Sequence, residues 1–148
     1  VWVGSGPGCW GVRTVARAIL LLPWWGGIIL SIGVVIEPIA DYQKNHVSKN
    51  PSNKARFISS GIWSWSRHPN YFGEILVWVG VYLAAVTALD LPAALIGLTS
   101  PVFITVLLLF VSGIPILEKT ADARWGTEPD FQNYKRRTNL LIPLPPKQ

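Results

Sequence analysis

Three long apolar runs decide what this chain can become. Residues 14–40, 71–89 and 93–117 are almost free of charge, and each is close to or beyond the roughly 20 residues that a helix needs to cross a bilayer. Residues 41–60 and 118–138 are too polar to lie in lipid. The pattern predicts an all-α protein: a multi-span transmembrane helical bundle with a cytosolic loop and a C-terminal helical segment. Only 14% of the 148 residues are charged, against about 25% in an average soluble domain, and the mean hydropathy is +0.35. The length suits one domain. Residues 1–13 read as a Gly- and Trp-rich N-terminal stub, without clear period, and residues 14–148 as the membrane domain. The chain opens at Val1 and holds no methionine, which marks it as a fragment or a processed product. Its single cysteine, Cys9, excludes an internal disulfide framework and a thiolate metal cage.

In the first run, Pro23, Gly26 and Gly27 mark a place to kink. Glu37, Asp41 and Lys44 follow at i, i+4 and i+7, so a helix continuing out of the membrane puts them on one stripe. Asn50-Pro51-Ser52-Asn53 is the turn signal that ends it. The second run opens with Ser66-Arg67-His68-Pro69-Asn70. Pro69 suits a first helical turn, so a helix starts near Asn70 with Arg67 and His68 at its mouth. Free N–H groups and the positive dipole end there favour an anion. Asn70 and Glu74 share a face, and an ionisable residue such as Glu74 within a span is by default a functional residue. Asp90-Leu91-Pro92 is a tight connection. The third run, interrupted at Ser100-Pro101 and Gly113-Ile114-Pro115, predicts one kinked helix in preference to two short ones. The charged segment after it breaks at Trp125-Gly126 and Glu128-Pro129 into two short helices. The apolar, Pro-rich Leu140–Pro146 predicts a tail tucked back against the bilayer surface.

The formal net charge is +5. Lys44, Lys49, Lys54, Arg56 and Arg67 lie between the first two runs. Lys119, Arg124, Lys135, Arg136, Arg137 and Lys147 follow the third, and the short loop at Asp90 has no base. The positive-inside rule puts both basic segments on the cytosolic side, where they can meet. That face gathers Glu37, Asp41, Lys44, Arg56, Arg67, His68, Asn70, Glu74, Glu118, Asp122 and Tyr134, interleaved with Trp63, Trp65, Tyr71 and Trp125. Bases bind phosphate, aromatic rings stack on a base and carboxylates hold ribose hydroxyls, so the set fits a nucleotide. No Gly-rich dinucleotide loop or P-loop is present. Two histidines set apart, His46 and His68, make no metal cluster, and no metal is expected. No Ser/His/Asp nucleophile arrangement can be read. Plainer roles compete for the same residues. Arg67 and His68 could snorkel at the interface, and Glu74 could pair with Arg67 or Lys44. Asp41 and Lys44 could form a surface pair, and Lys135-Arg136-Arg137 could contact anionic lipid.

The ordered set Glu37…Ala40-Asp41-Tyr42-Gln43-Lys44, Gly61-Ile62-Trp63…Ser66-Arg67-His68-Pro69-Asn70-Tyr71-Phe72-Gly73-Glu74, Gly113-Ile114-Pro115…Glu118 and Tyr134…Ile142-Pro143 resembles the steroid 5α-reductase C-terminal family. More narrowly it is similar to the DUF1295 branch of that family. The R-H-P-N-Y motif is shared with sterol reductases, and R-H-P-x-Y with isoprenylcysteine and phospholipid methyltransferases. The resemblance implies an integral, multi-pass enzyme of the endoplasmic reticulum or another internal membrane. Such an enzyme binds NADPH and reduces a polarised C=C bond in a lipid- or steroid-like substrate. Cofactor contacts implied at matching positions are Asp41, Lys44, Arg56, Arg67, His68, Asn70, Tyr71, Glu74, Trp78, Glu118 and Tyr134. Arg67 and His68 follow the sterol-reductase and methyltransferase pattern, so S-adenosylmethionine stands as the alternative cofactor. A methyltransferase and a non-catalytic membrane subunit are the alternative functions. In steroid 5α-reductases the residues that polarise the substrate carbonyl lie in earlier spans, so no catalytic residue is assigned here. The expected partners are the lipid bilayer and a hydrophobic small molecule, with no nucleic acid.

Overall fold

A computed structural model describes residues 7–49 and 56–146, with side chains of α1 from residue 20 onward. The described residues form helices α1 (Pro7–Lys49), α2 (Pro69–Ala85), α3 (Leu91–Val106), α4 (Ile114–Trp125) and α5 (Pro129–Arg137). Short 3-10 turns lie at Gly61–Ser64 and Val86–Ala88, and a π turn at Leu107–Val111. Among these residues there is no strand, and an isolated parallel bridge joins Ser66 to Asn139. Leu20–Lys49, Pro69–Ala88 and Leu91–Trp125 are long and apolar enough to cross a membrane. Their large side chains point outward: Trp24, Phe103 and Phe110 are 74%, 63% and 73% exposed. An apolar surface of this extent needs an apolar surrounding, and a bilayer supplies it.

α1 begins at Pro7, so residues 7–12, expected as loop, are helical. It runs through Pro23 and Pro38 and, as the stripe at Glu37, Asp41 and Lys44 predicts, continues to Lys49. The turn expected at Asn50–Asn53 lies outside the described residues. Gly26 packs α1 against α2, where a Cβ would collide with the Ala84 nitrogen. Gly26, Gly33 and Ala40, each seven residues apart, are buried, and α2 answers antiparallel with Gly73 and Gly80. A Cβ on Gly33 would lie 2.7 Å from the Gly73 carbonyl oxygen, and one on Gly80 2.5 Å from the Leu30 nitrogen. Lipid gives helices no hydrophobic drive to associate, so small residues that let backbones touch are the usual means.

α2 starts with Pro69 in its first turn, as expected. Asp90 caps α3, its Oδ1 accepting from the Ala93 N–H at 3.0 Å. The third apolar run departs from the expected single kinked helix. α3 passes Pro101, widens into the π turn that Ser112 N–H closes on the Leu107 carbonyl (2.9 Å), and stops. Gly113 lies against the Leu108 backbone too closely for any side chain, and Pro115 has no N–H with which to continue the ladder. α4 therefore restarts at Ile114 and carries the charged residues Glu118–Arg124 to Trp125. α5 begins at Pro129, as the breakers predict. This path brings the C-terminal end of α1, the start of α2, the end of α4 and all of α5 to one end of the bundle.

Candidate functional site

The loop from Gly61 to His68 is held on two sides. Gly61 has φ +63°, a left-handed conformation that glycine tolerates best. It also leaves room for the Gln43 side chain, whose Oε1 accepts from the Ile62 N–H at 3.1 Å. Trp63 is buried and its indole Nε1 donates to the Ala40 carbonyl at 3.1 Å. These bonds fasten the loop to α1. From the other side, the Tyr134 hydroxyl donates to the Trp63 carbonyl (2.7 Å) and the Thr138 hydroxyl to the Ser64 carbonyl (3.4 Å). The Ser66 hydroxyl donates to the Leu141 carbonyl (2.7 Å) and accepts from the His68 N–H (3.1 Å). Arg67 N–H donates to the Asn139 carbonyl at 2.9 Å. Burial pushes the Tyr134 phenol well above its ordinary range, so it stays a neutral donor.

Glu118, one turn into α4, is the ionic centre. Its Oε2 pairs with Arg67 Nη1. Its Oε1 lies 2.8 Å from His68 Nε2, and Lys135 Nζ stands 3.5 Å from Oε2. Lys135 also reaches Asp122 Oδ1 at 2.7 Å. One carboxylate thus ties the mouth of α2 to α4 and α5. Tyr71 stacks on the buried His68 ring with centroids 5.8 Å apart.

Beside this centre is a pocket of about 360 Å³. Lys44, Arg56, Arg67, His68, Glu118 and Tyr134 all line it. An aromatic cluster forms its wall: Phe57 lies 6.1 Å from Trp125, 5.2 Å from Phe131 and 5.3 Å from Tyr134, centroid to centroid. Lys44 Nζ sits 5.8 Å from the centre of the Trp63 ring. Arg56, Phe57 and Tyr134 also border a second, more polar cavity of about 740 Å³.

Six of the eleven expected cofactor contacts are therefore brought together. Asp41, Asn70, Tyr71, Glu74 and Trp78 are not in the pocket lining. Glu74 accepts from Trp78 Nε1 at 2.8 Å, one turn along α2. Among the described residues it forms no ion pair with Arg67 or Lys44: Arg67 is taken by Glu118 and Lys44 lies over Trp63. Asp41 is exposed. Sequence reasoning missed Phe57 and Phe131. Phe131 did leave a trace: it is the large aliphatic-or-aromatic residue three before Tyr134 in an otherwise polar α5, and so shares a face with it.

Residues 10–138 match DUF1295, a family of proteins of unknown function. The chain belongs to that family. A stretch of 60 residues in the DUF1295 chain is also 35% identical to the probable O-methyltransferase ustE of Ustilaginoidea virens. This stretch covers 40% of the DUF1295 chain but only 21% of that relative's length. No solved structure matches the chain.

Proposed function

We propose that the DUF1295 chain holds NADPH for a membrane oxidoreductase acting on CH–CH groups, which reduces a polarised C=C bond in a lipid- or steroid-like molecule. The observation that carries this reading is the pocket's charge. Lys44, Arg56, Arg67 and Arg124 line it, against the single carboxylate of Glu118, whose oxygens already meet Arg67, His68 and Lys135. That excess of positive charge suits the phosphates of a dinucleotide, and Phe57, Trp63 and Trp125 suit its rings. The two adjoining cavities fall within the roughly 300–1,000 Å³ of ordinary ligand sites. Bound there, the cofactor would supply a hydride.

The buried polar atoms fit the same group. Arg67 Nε, His68 Nδ1 and Asn70 Oδ1 are buried without a hydrogen-bond partner. Arg67 and His68 are in the pocket lining, which leaves polar atoms there for the polar groups of a bound ligand. S-adenosylmethionine is the second reading, because the relative in Ustilaginoidea virens is named an O-methyltransferase. Its cationic sulfonium suits a basic pocket less well.

Thermal unfolding in detergent separates the readings. A ligand at about 100 Kd adds roughly 2.7 kcal/mol to stability. NADPH is expected to raise the melting temperature, and S-adenosylmethionine to leave it unchanged. A shift with S-adenosylmethionine alone would falsify the reductase reading. No shift with either ligand would support a non-catalytic membrane subunit.

A further inference from the structure

The segment that follows α5 is tied at its start and apolar beyond. The Asn139 and Leu141 carbonyls accept from Arg67 N–H and the Ser66 hydroxyl, so the segment lies beside the first turn of α2. Arg67 stands two residues before the start of α2 at Pro69 and four before Tyr71, where the apolar run of α2 begins. The headgroup layer of a bilayer is roughly 5–8 Å deep on each side. The tie to α2 therefore sets the segment at headgroup level. There Asn139 Nδ2 donates to the Leu144 carbonyl at 3.2 Å and draws the chain into a short loop. On that loop Leu140, Ile142 and Leu144 are 40%, 54% and 52% exposed. Lys119, Arg124 and Arg136 are exposed at the same end of the bundle. Lys135 is engaged by Asp122 and Glu118.

We propose that Leu140–Pro146 is an interfacial anchor seated in an anionic phospholipid leaflet, with Lys119 and Arg136 on lipid phosphates, and that this seat holds the Ser66–His68 wall of the pocket in place. Three exposed branched side chains at this depth gain by entering the acyl boundary, and bases beside them gain from negative headgroups. The coupling to the wall is direct. The backbone that carries the apolar side chains also accepts the hydrogen bonds of Ser66 and Arg67.

The test uses the full chain in lipid nanodiscs, with Cys9→Ser as background and Ile142→Cys carrying an environment-sensitive dye. Thr127→Cys, at an exposed turn position, is the control. In phosphatidylcholine, the dye at 142 should be several-fold better protected from an aqueous quencher than the dye at 127. Phosphatidylserine should increase that protection, and Lys119→Gln with Arg136→Gln should remove the increase. Equal quenching at 142 and 127 would overturn the anchor, and equal protection in the two lipids would overturn its preference for an anionic leaflet. Amide hydrogen exchange reads the coupling. Ile142→Asp should speed exchange at Arg67 N–H, whereas an unchanged rate would show that the wall does not depend on the anchor.

Discussion

Both oxygens of Glu118 are already engaged by the protein. Arg67, His68 and Lys135 take both, so its part in the site is to position the first two. Glu118→Gln keeps the shape and removes the charge. It should lower stability by about 1–3 kcal/mol, the range for hydrogen bonds to charged groups, and weaken NADPH binding; unfolding titrations in detergent micelles check the first and dialysis the second. Asp122→Asn, which touches only a half-exposed pair with Lys135, should cost under about 1 kcal/mol in the same titration. Tyr134 makes a pH prediction. Its phenol is raised by burial, so the unfolded chain loses that proton first, near the ordinary pKa of about 10. Stability should then be full below pH 10 and fall above it. Tyr134→Phe should remove that part of the fall, at a cost of about 1 kcal/mol at neutral pH for the lost bond to the Trp63 carbonyl; thermal melts of both proteins from pH 8 to 11 decide it. At this scale the sequence displayed the Arg67-His68 motif but not its partner. Glu118 stands some fifty residues away, and nothing in local spacing joins the two.

The elements were largely legible, because the signals that bound them are local. Pro69, Asp90, Pro115 and Pro129 each sit where a helix starts, and the reasons are a missing N–H or a side-chain cap. The third run was harder. Its apolar residues continue unbroken past the point where Gly113 and Pro115 end the hydrogen-bond ladder, so hydropathy shows one span where the backbone divides. The pairing of α1 with α2 was also hidden. The packing role of Gly26 and Gly33 shows only once Gly73 and Gly80 are seen opposite, since a single sequence does not say which helices touch. The pairing yields a matched test. Gly33→Leu would force two backbones apart and should destabilise by about 1–3 kcal/mol. Gly27→Ala, with open space around it, should be neutral or stabilising by up to about 1 kcal/mol. Equal effects of the two would mean that the helices do not meet along this stripe.

For the whole molecule, the order of the spans does the assembling. Polar segments far apart in sequence return to one end, as the distribution of bases predicts, and there they enclose a pocket that no single segment could form. Its walls come from α1, the Arg56–His68 segment, α4 and α5, and the hydrogen bonds from Trp63, Ser66 and Arg67 lock the parts together. Asp41, exposed on α1, and Glu74, bonded along α2 to Trp78, lie apart from the pocket lining, a placement that helical spacing alone could not reveal. The central claim is that this convergence makes a binding site for a phosphate-bearing dinucleotide. Equilibrium dialysis of the purified chain against NADPH, with S-adenosylmethionine as competitor, tests it most directly. Saturable binding of one NADPH per chain, undiminished by excess S-adenosylmethionine and at least tenfold weaker in Arg56→Ala or Arg67→Ala, is the predicted result. Saturable binding of S-adenosylmethionine that NADPH cannot displace would contradict it.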